Sequence, residues 1–69
     1  MTRYAVVFEK AEQNWAAYVP DLPGCVATAA TLEECKHEIG AAIRFHLEGM
    51  REDGLDIPTP SSVTDYVAA

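Results

Sequence analysis

A chain of 69 residues, 49% of them hydrophobic and 23% charged, has the composition of one small folded domain and not of a disordered tail. Eleven Asp and Glu against five Lys and Arg give a formal net charge of -6, which repels phosphate backbones and argues against direct nucleic-acid binding. No stretch approaches the roughly 20 apolar residues of a membrane span, and the run Ala5 to Phe8 is too short for a secretion signal, so one cytoplasmic domain over residues 1–69 is expected.

Along the chain, Arg3 to Glu9 (RYAVVFE) alternates Tyr4, Val6 and Phe8 with more polar neighbours and predicts a first strand. The polar segment Lys10 to Asn14 (KAEQN) predicts a hairpin loop of about four or five residues, with Trp15 to Val19 (WAAYV) as the returning strand. Then comes VPDLPG, where Pro20 and Pro23 fix their own φ, Gly24 permits positive φ, and Asp21 can bond backbone amides ahead of it. Cys25 to Ala30 (CVATAA) follows as a third strand.

The period changes at Thr31. Thr31 with Glu34 three residues on has the form of a capping box, and Leu32, Cys35, Ile39, Ala42, Ile43, His46 and Met50 fall on one stripe at helical spacing. The helix is expected to run to about Asp53, with Gly54 as its stop and Pro58 and Pro60 preventing continuation. Such a rod, about 33 Å long, overhangs a small sheet. Val63 to Ala68 (VTDYVA) alternates again and predicts a fourth strand, parallel to the first across a right-handed crossover. The fold expected is α+β in the order βββαβ, with one long helix packed on one face of the sheet.

The chain is poor in catalytic signals. Glu9, Glu12, Asp21, Glu33, Glu34, Asp56 and Asp65 are scattered over turns and a helix start, whereas two-metal chemistry needs carboxylates that converge. Ser61 and Ser62 lack a nucleophile-elbow context, and Cys25 becomes a nucleophile only if the fold brings it to His37 or His46. Cys25 and Cys35 are ten positions apart with no ligand cluster and read as two buried thiols. No catalytic, cofactor or metal site is expected. Phe45 lies off the apolar stripe and reads as an interface aromatic, His46 as a core or interface residue, and Trp15 and Tyr18 as core or partner packing. Asp21 and Leu22 either bond within their turn or face a partner. A partner or oligomer interface is therefore sought at Trp15, Tyr18, Asp21, Leu22, Phe45 and His46, and the thin core of so short a chain predicts a homo-oligomer, a dimer or tetramer.

Three separate stretches, PDLPGC (Pro20 to Cys25), TLEE (Thr31 to Glu34) and the helix end with IPTPSS (Ile57 to Ser62), occur in an order that resembles the HicB-like antitoxin family along nearly the whole chain. The resemblance implies a truncated ribonuclease H-like sheet without that enzyme's catalytic acids. It also implies binding to a small basic toxin of the HicA type, an mRNA interferase, neutralised by occlusion of its active site. Two substitutions depart from the pattern: Ala29 and Ala30 stand where relatives often carry Gly-Asp, and Cys35 stands where alanine is common. Many such antitoxins continue into a DNA-binding segment, so a chain ending at Ala69 is expected to be a short form that does not itself bind DNA. The competing expectation is a stand-alone, self-assembling domain of the same fold with a regulatory or scaffold role.

Overall fold

A computed structural model describes residues 2–69. Three strands, β1 (Val7–Lys10), β2 (Trp15–Tyr18) and β3 (Val26–Ala29), are followed by one helix, α1 (Leu32–Glu52). The strands form an antiparallel meander in the order β1-β2-β3, with Phe8 opposite Ala17 and Ala17 opposite Ala27. This is the α+β arrangement expected, with the helix crossing one face chiefly over β3 and then β2.

β1 begins later than the alternation suggests. Val7 pairs with Tyr18, the last residue of β2, and beyond it the returning chain turns away at Pro20, which has no N–H to offer a ladder. Residues 3–6 thus run on without a strand partner.

The corner after β2 consists of two consecutive turns. Leu22 donates its N–H to the Val19 carbonyl at 3.0 Å, and Cys25 donates to the Leu22 carbonyl at 3.0 Å. Each turn carries proline at its second position, Pro20 and then Pro23, where a φ near -65° is required. Gly24, at φ 84°, supplies the positive φ that makes the second turn type II. The Val19 N–H closes the corner on the Cys25 carbonyl at 3.2 Å. Leu22, shared by both turns, is driven inward to 1% exposure.

Leu22 joins Ala17, Val19, Cys25, Cys35 and Ile39 as the buried core, with Tyr4, Val6, Phe8, Trp15, Ile43 and Leu47 among the half-buried residues around it. Both cysteines are free and buried, as expected, and burial pushes the Cys25 thiol upward from its ordinary pKa. The buried residues of α1, Cys35 and Ile39, lie in its first half. At 1.5 Å per residue its 21 residues span about 32 Å, whereas a four-residue strand spans about 13 Å, so the second half outruns the sheet.

Both helix ends are capped as the sequence indicates. Thr31 accepts the Glu34 N–H at 3.1 Å, while its hydroxyl donates to the Glu34 carboxylate at 3.0 Å. Thr31→Ala is expected to cost about 1 kcal/mol, read as a lower urea midpoint that Thr31→Ser largely restores. At the other end Leu55 donates to Met50 and Gly54, at φ 71°, donates to Arg51, the paired bonds of a Schellman motif.

The expected fourth strand does not form. Val63 to Ala68 has no strand pairing, and Val63, Tyr66 and Val67 are 89%, 100% and 89% exposed. Two competing sets of bonds, one distant and one local, bear on this. The Ser61 and Ser62 amides are bonded to Asp21, which fixes the entry to the segment, and within it the Asp65 carboxylate takes the Tyr66 N–H at 2.7 Å, which removes one ladder donor.

Candidate interaction surface

Among the described residues Asp21 is the most heavily bonded side chain. Its Oδ2 accepts the amides of Ser61 at 2.9 Å and Ser62 at 3.0 Å, and its Oδ1 accepts their hydroxyls at 3.2 Å and 2.7 Å. The Ser62 amide, then the Ser61 amide and the hydroxyls, hold this carboxyl at about 2, below the usual 3.8. Neither alternative expected for Asp21 describes this: it bonds neither within its own turn nor outward, but clasps the segment that follows the helix. Nearby, Tyr4 donates its hydroxyl to the Pro58 carbonyl at 2.5 Å, a second tie on the same segment.

The clasp delivers the chain to the open side of β1. Val6, Val7 and Phe8 form one wall of a cleft of about 450 Å³, and Val63 through Tyr66 form the other. β1 is an edge strand, since β2 lies on its other side. Which of its amides are open follows from the hairpin. Ala11 donates to the Asn14 carbonyl at 2.9 Å, and bonded pairs recur at every second residue of an antiparallel ladder. Glu9 with Ala16 and Val7 with Tyr18 are then the bonded pairs, and the backbone groups of Val6, Phe8 and Lys10 face the open edge.

The sheet face away from α1 is uncovered. Val7, Tyr18 and Val26 are cross-strand neighbours on it, with Tyr18 42% and Val26 63% exposed. Another hollow, of about 400 Å³, lies where Thr2 and Tyr4 meet Gly40, Ile43, Arg44 and Leu47 of the helix.

The residues expected at an interface therefore disperse. Tyr18 is on the open sheet face, whereas Trp15 points to the helix side and packs against the core. Leu22 is core and offers no surface, because the double turn drives it inward. Phe45 stands 81% exposed on the outer side of α1, and His46 beside it is half-buried. Sequence reasoning missed the bonds of Ser61 and Ser62 to Asp21, since it weighed the two serines as nucleophiles and as part of the IPTPSS stretch, and it missed the β1 edge. The available signal was a pair of serines offering four donors shortly after two prolines, though nothing local ties them to Asp21. Among the described residues no group of three or more His, Cys, Asp or Glu comes together. No helix of the described residues is long and apolar enough to cross a membrane.

A three-stranded meander with one covering helix and a net charge of -6 defines a small α+β domain whose edge strand and outer sheet face are exposed among the described residues. A family model described as the HicB_like antitoxin of bacterial toxin-antitoxin systems matches residues 4–69, and the chain belongs to this family. Over 64 residues it is 36% identical to an uncharacterized 14.9 kDa protein in the rep-hol intergenic region of Haemophilus phage HP1, covering 93% of this chain and 48% of that protein. It is 37% identical over 60 residues to Antitoxin HicB 2 of Photorhabdus laumondii, covering 87% and 43%. To a UPF0150 protein of Archaeoglobus fulgidus it is 38% identical over 55 residues, covering 75% and 80%. The chain thus spans about half the length of the first two relatives and most of the third.

Proposed function

We propose that this chain is a protein-binding antitoxin domain that neutralises a small basic HicA-type mRNA interferase in the cytoplasm by covering its active site, without catalysis of its own. The observation that carries the reading is the family match over residues 4–69. A net charge of -6 supports it, because an acidic domain speeds encounter with a cationic partner and disfavours RNA. The β-β-β-α order is read as a truncated ribonuclease H-like sheet in which the last strand is not closed. Coexpression with a HicA-type toxin encoded beside this chain tests the function. Restored growth and a co-purifying complex are expected, and continued toxicity with no complex at micromolar protein sinks the reading.

The second reading, a self-assembling domain without a toxin, draws support from the short Archaeoglobus fulgidus relative, of which this chain covers 80%. Self-association fits either reading, and its surface is sought at Phe45, which has Ala41 and Gly49 one turn to either side and the opposite charges of Arg44 and Glu48 close by. Light scattering at micromolar protein is expected to give a dimer or larger that Phe45→Ala shifts toward monomer. A concentration-independent monomer mass overturns that expectation.

A further inference from the structure

We infer that residues 57–62 form a stiff strap that opens and closes as one unit. It is held at Pro58 by the Tyr4 hydroxyl and at Ser61 and Ser62 by the Asp21 carboxylate, and it couples the N-terminal run of residues 3–6 to the corner between β2 and β3. The device stands apart from the antitoxin reading and needs no partner.

Stiffness follows from the residues of the strap. Pro58 and Pro60 fix their own φ, and Ile57 and Thr59, each preceding a proline, are confined to extended geometry. Burial alternates to match. Pro58, Pro60 and Ser62 are half-buried whereas Thr59 and Ser61 are exposed, so the strap lays one side along the domain. From Pro58 to Ser61 such a chain extends about 9–10 Å. A slack connection would let each tie break alone, but a rod released at one end carries its other end out of reach of its partner.

The two anchors sit in parts of the fold that share no ladder. Tyr4 lies before β1, where residues 3–6 have no strand partner, and its hydroxyl donates to the Pro58 carbonyl at 2.5 Å. Asp21 lies in the double turn and gathers the amides and hydroxyls of Ser61 and Ser62. A single hydrogen bond shifts an opening equilibrium by about two- to tenfold, so the Tyr4 tie is large enough to be read at the far end of the strap. In the closed state each tie keeps the other's partners in place. In the open state both are broken, and Val63 to Tyr66 lose their position opposite Val6, Val7 and Phe8. Such coupling is reciprocal: whatever breaks one tie loosens the other.

The test cuts one end and reads the other, on the full chain. Tyr4→Phe removes the hydroxyl alone, and the Ser61 and Ser62 amides are expected to exchange about fivefold faster while the amide of Ile39, in the buried core, stays unchanged. Asp21→Asn, with Ser62→Ala as a milder cut, is expected to raise acetylation of the Tyr4 hydroxyl by N-acetylimidazole about fivefold relative to that of Tyr18, read by mass spectrometry of peptides. Pro60→Ala keeps both ties and slackens the strap between them, and in that chain Tyr4→Phe should no longer quicken Ser61 and Ser62. Unchanged exchange at Ser61 and Ser62 in Tyr4→Phe overturns the strap. So does a Tyr4 hydroxyl no more reactive in Asp21→Asn and Ser62→Ala, since coupling must show from either end. Exchange at Ile39 quickened by the same factor as at Ser61 also overturns it, by showing that the hydroxyl stabilises the whole fold. A Tyr4→Phe effect undiminished in the Pro60→Ala chain shows the ends coupled by another route and removes the strap as its carrier. Should Asp21→Asn fail to fold, Ser62→Ala and Tyr4→Phe decide the matter.

Discussion

Leu22→Ala is expected to leave the protein close to unfolded at room temperature. Leu22 is 1% exposed, at the point where two turns meet, and a buried Leu→Ala change costs about 2–5 kcal/mol because the cavity collapses only in part. A chain of 69 residues has a total stability of only about 3–10 kcal/mol at typical values per residue. With a slope of about 1 kcal/mol per molar urea, the midpoint should fall by about 2–5 M. Leu22→Met, close in volume, should cost less than about 1.5 kcal/mol. A midpoint for Leu22→Ala within about 0.5 M of the parent's would show that the corner does not depend on this side chain.

Asp21→Asn should free residues 61–69 while the sheet and helix stay folded. Asparagine removes the charge that gathers four donors and cannot offer two acceptor oxygens, so Ser61 and Ser62 amides should exchange faster and protease should cut after the helix. The pH dependence has a definite sign. The folded carboxyl at about 2 lies below its ordinary 3.8, so its stabilising contribution is complete above about 4 and is lost as pH falls from 3.8 toward 2. Asp21→Asn should erase that part of the acid response and no other. Unchanged exchange at Ser61 and Ser62 would show that the clasp is not what holds the segment.

The elements that were legible in the sequence are those fixed by local chemistry. Thr31 with Glu34 and Gly54 with Leu55 set both helix ends from residues close in sequence, and Pro20, Pro23 and Gly24 specify the corner through their own φ angles. The strand-like pattern of Trp15 to Val19 locates β2, which the structure has at Trp15–Tyr18. What failed depended on bonds and directions that a residue pattern does not display. Val63 to Ala68 alternates like a strand, yet period two says nothing of whether its amides are already bonded, and at Tyr66 the neighbouring Asp65 had taken one. From the sequence Leu22 stays open between its own turn and a partner, because its direction follows from the way two turns share it. Asp21 was singled out correctly as a bonding residue, but its partners lie 40 and 41 residues away and carry no mark of the pairing.

That separation bears on the order of folding. The hairpins and the helix close between near neighbours, whereas the Asp21 bonds join residues 40 and 41 positions apart and need the corner, sheet and helix in place before they can form. Bonds absent from the transition state act on the rate of unfolding and leave the rate of folding almost unchanged. The carboxylate between β2 and β3 is thus a latch set after the rest of the domain has assembled, and it governs how long the finished molecule keeps its last residues in place.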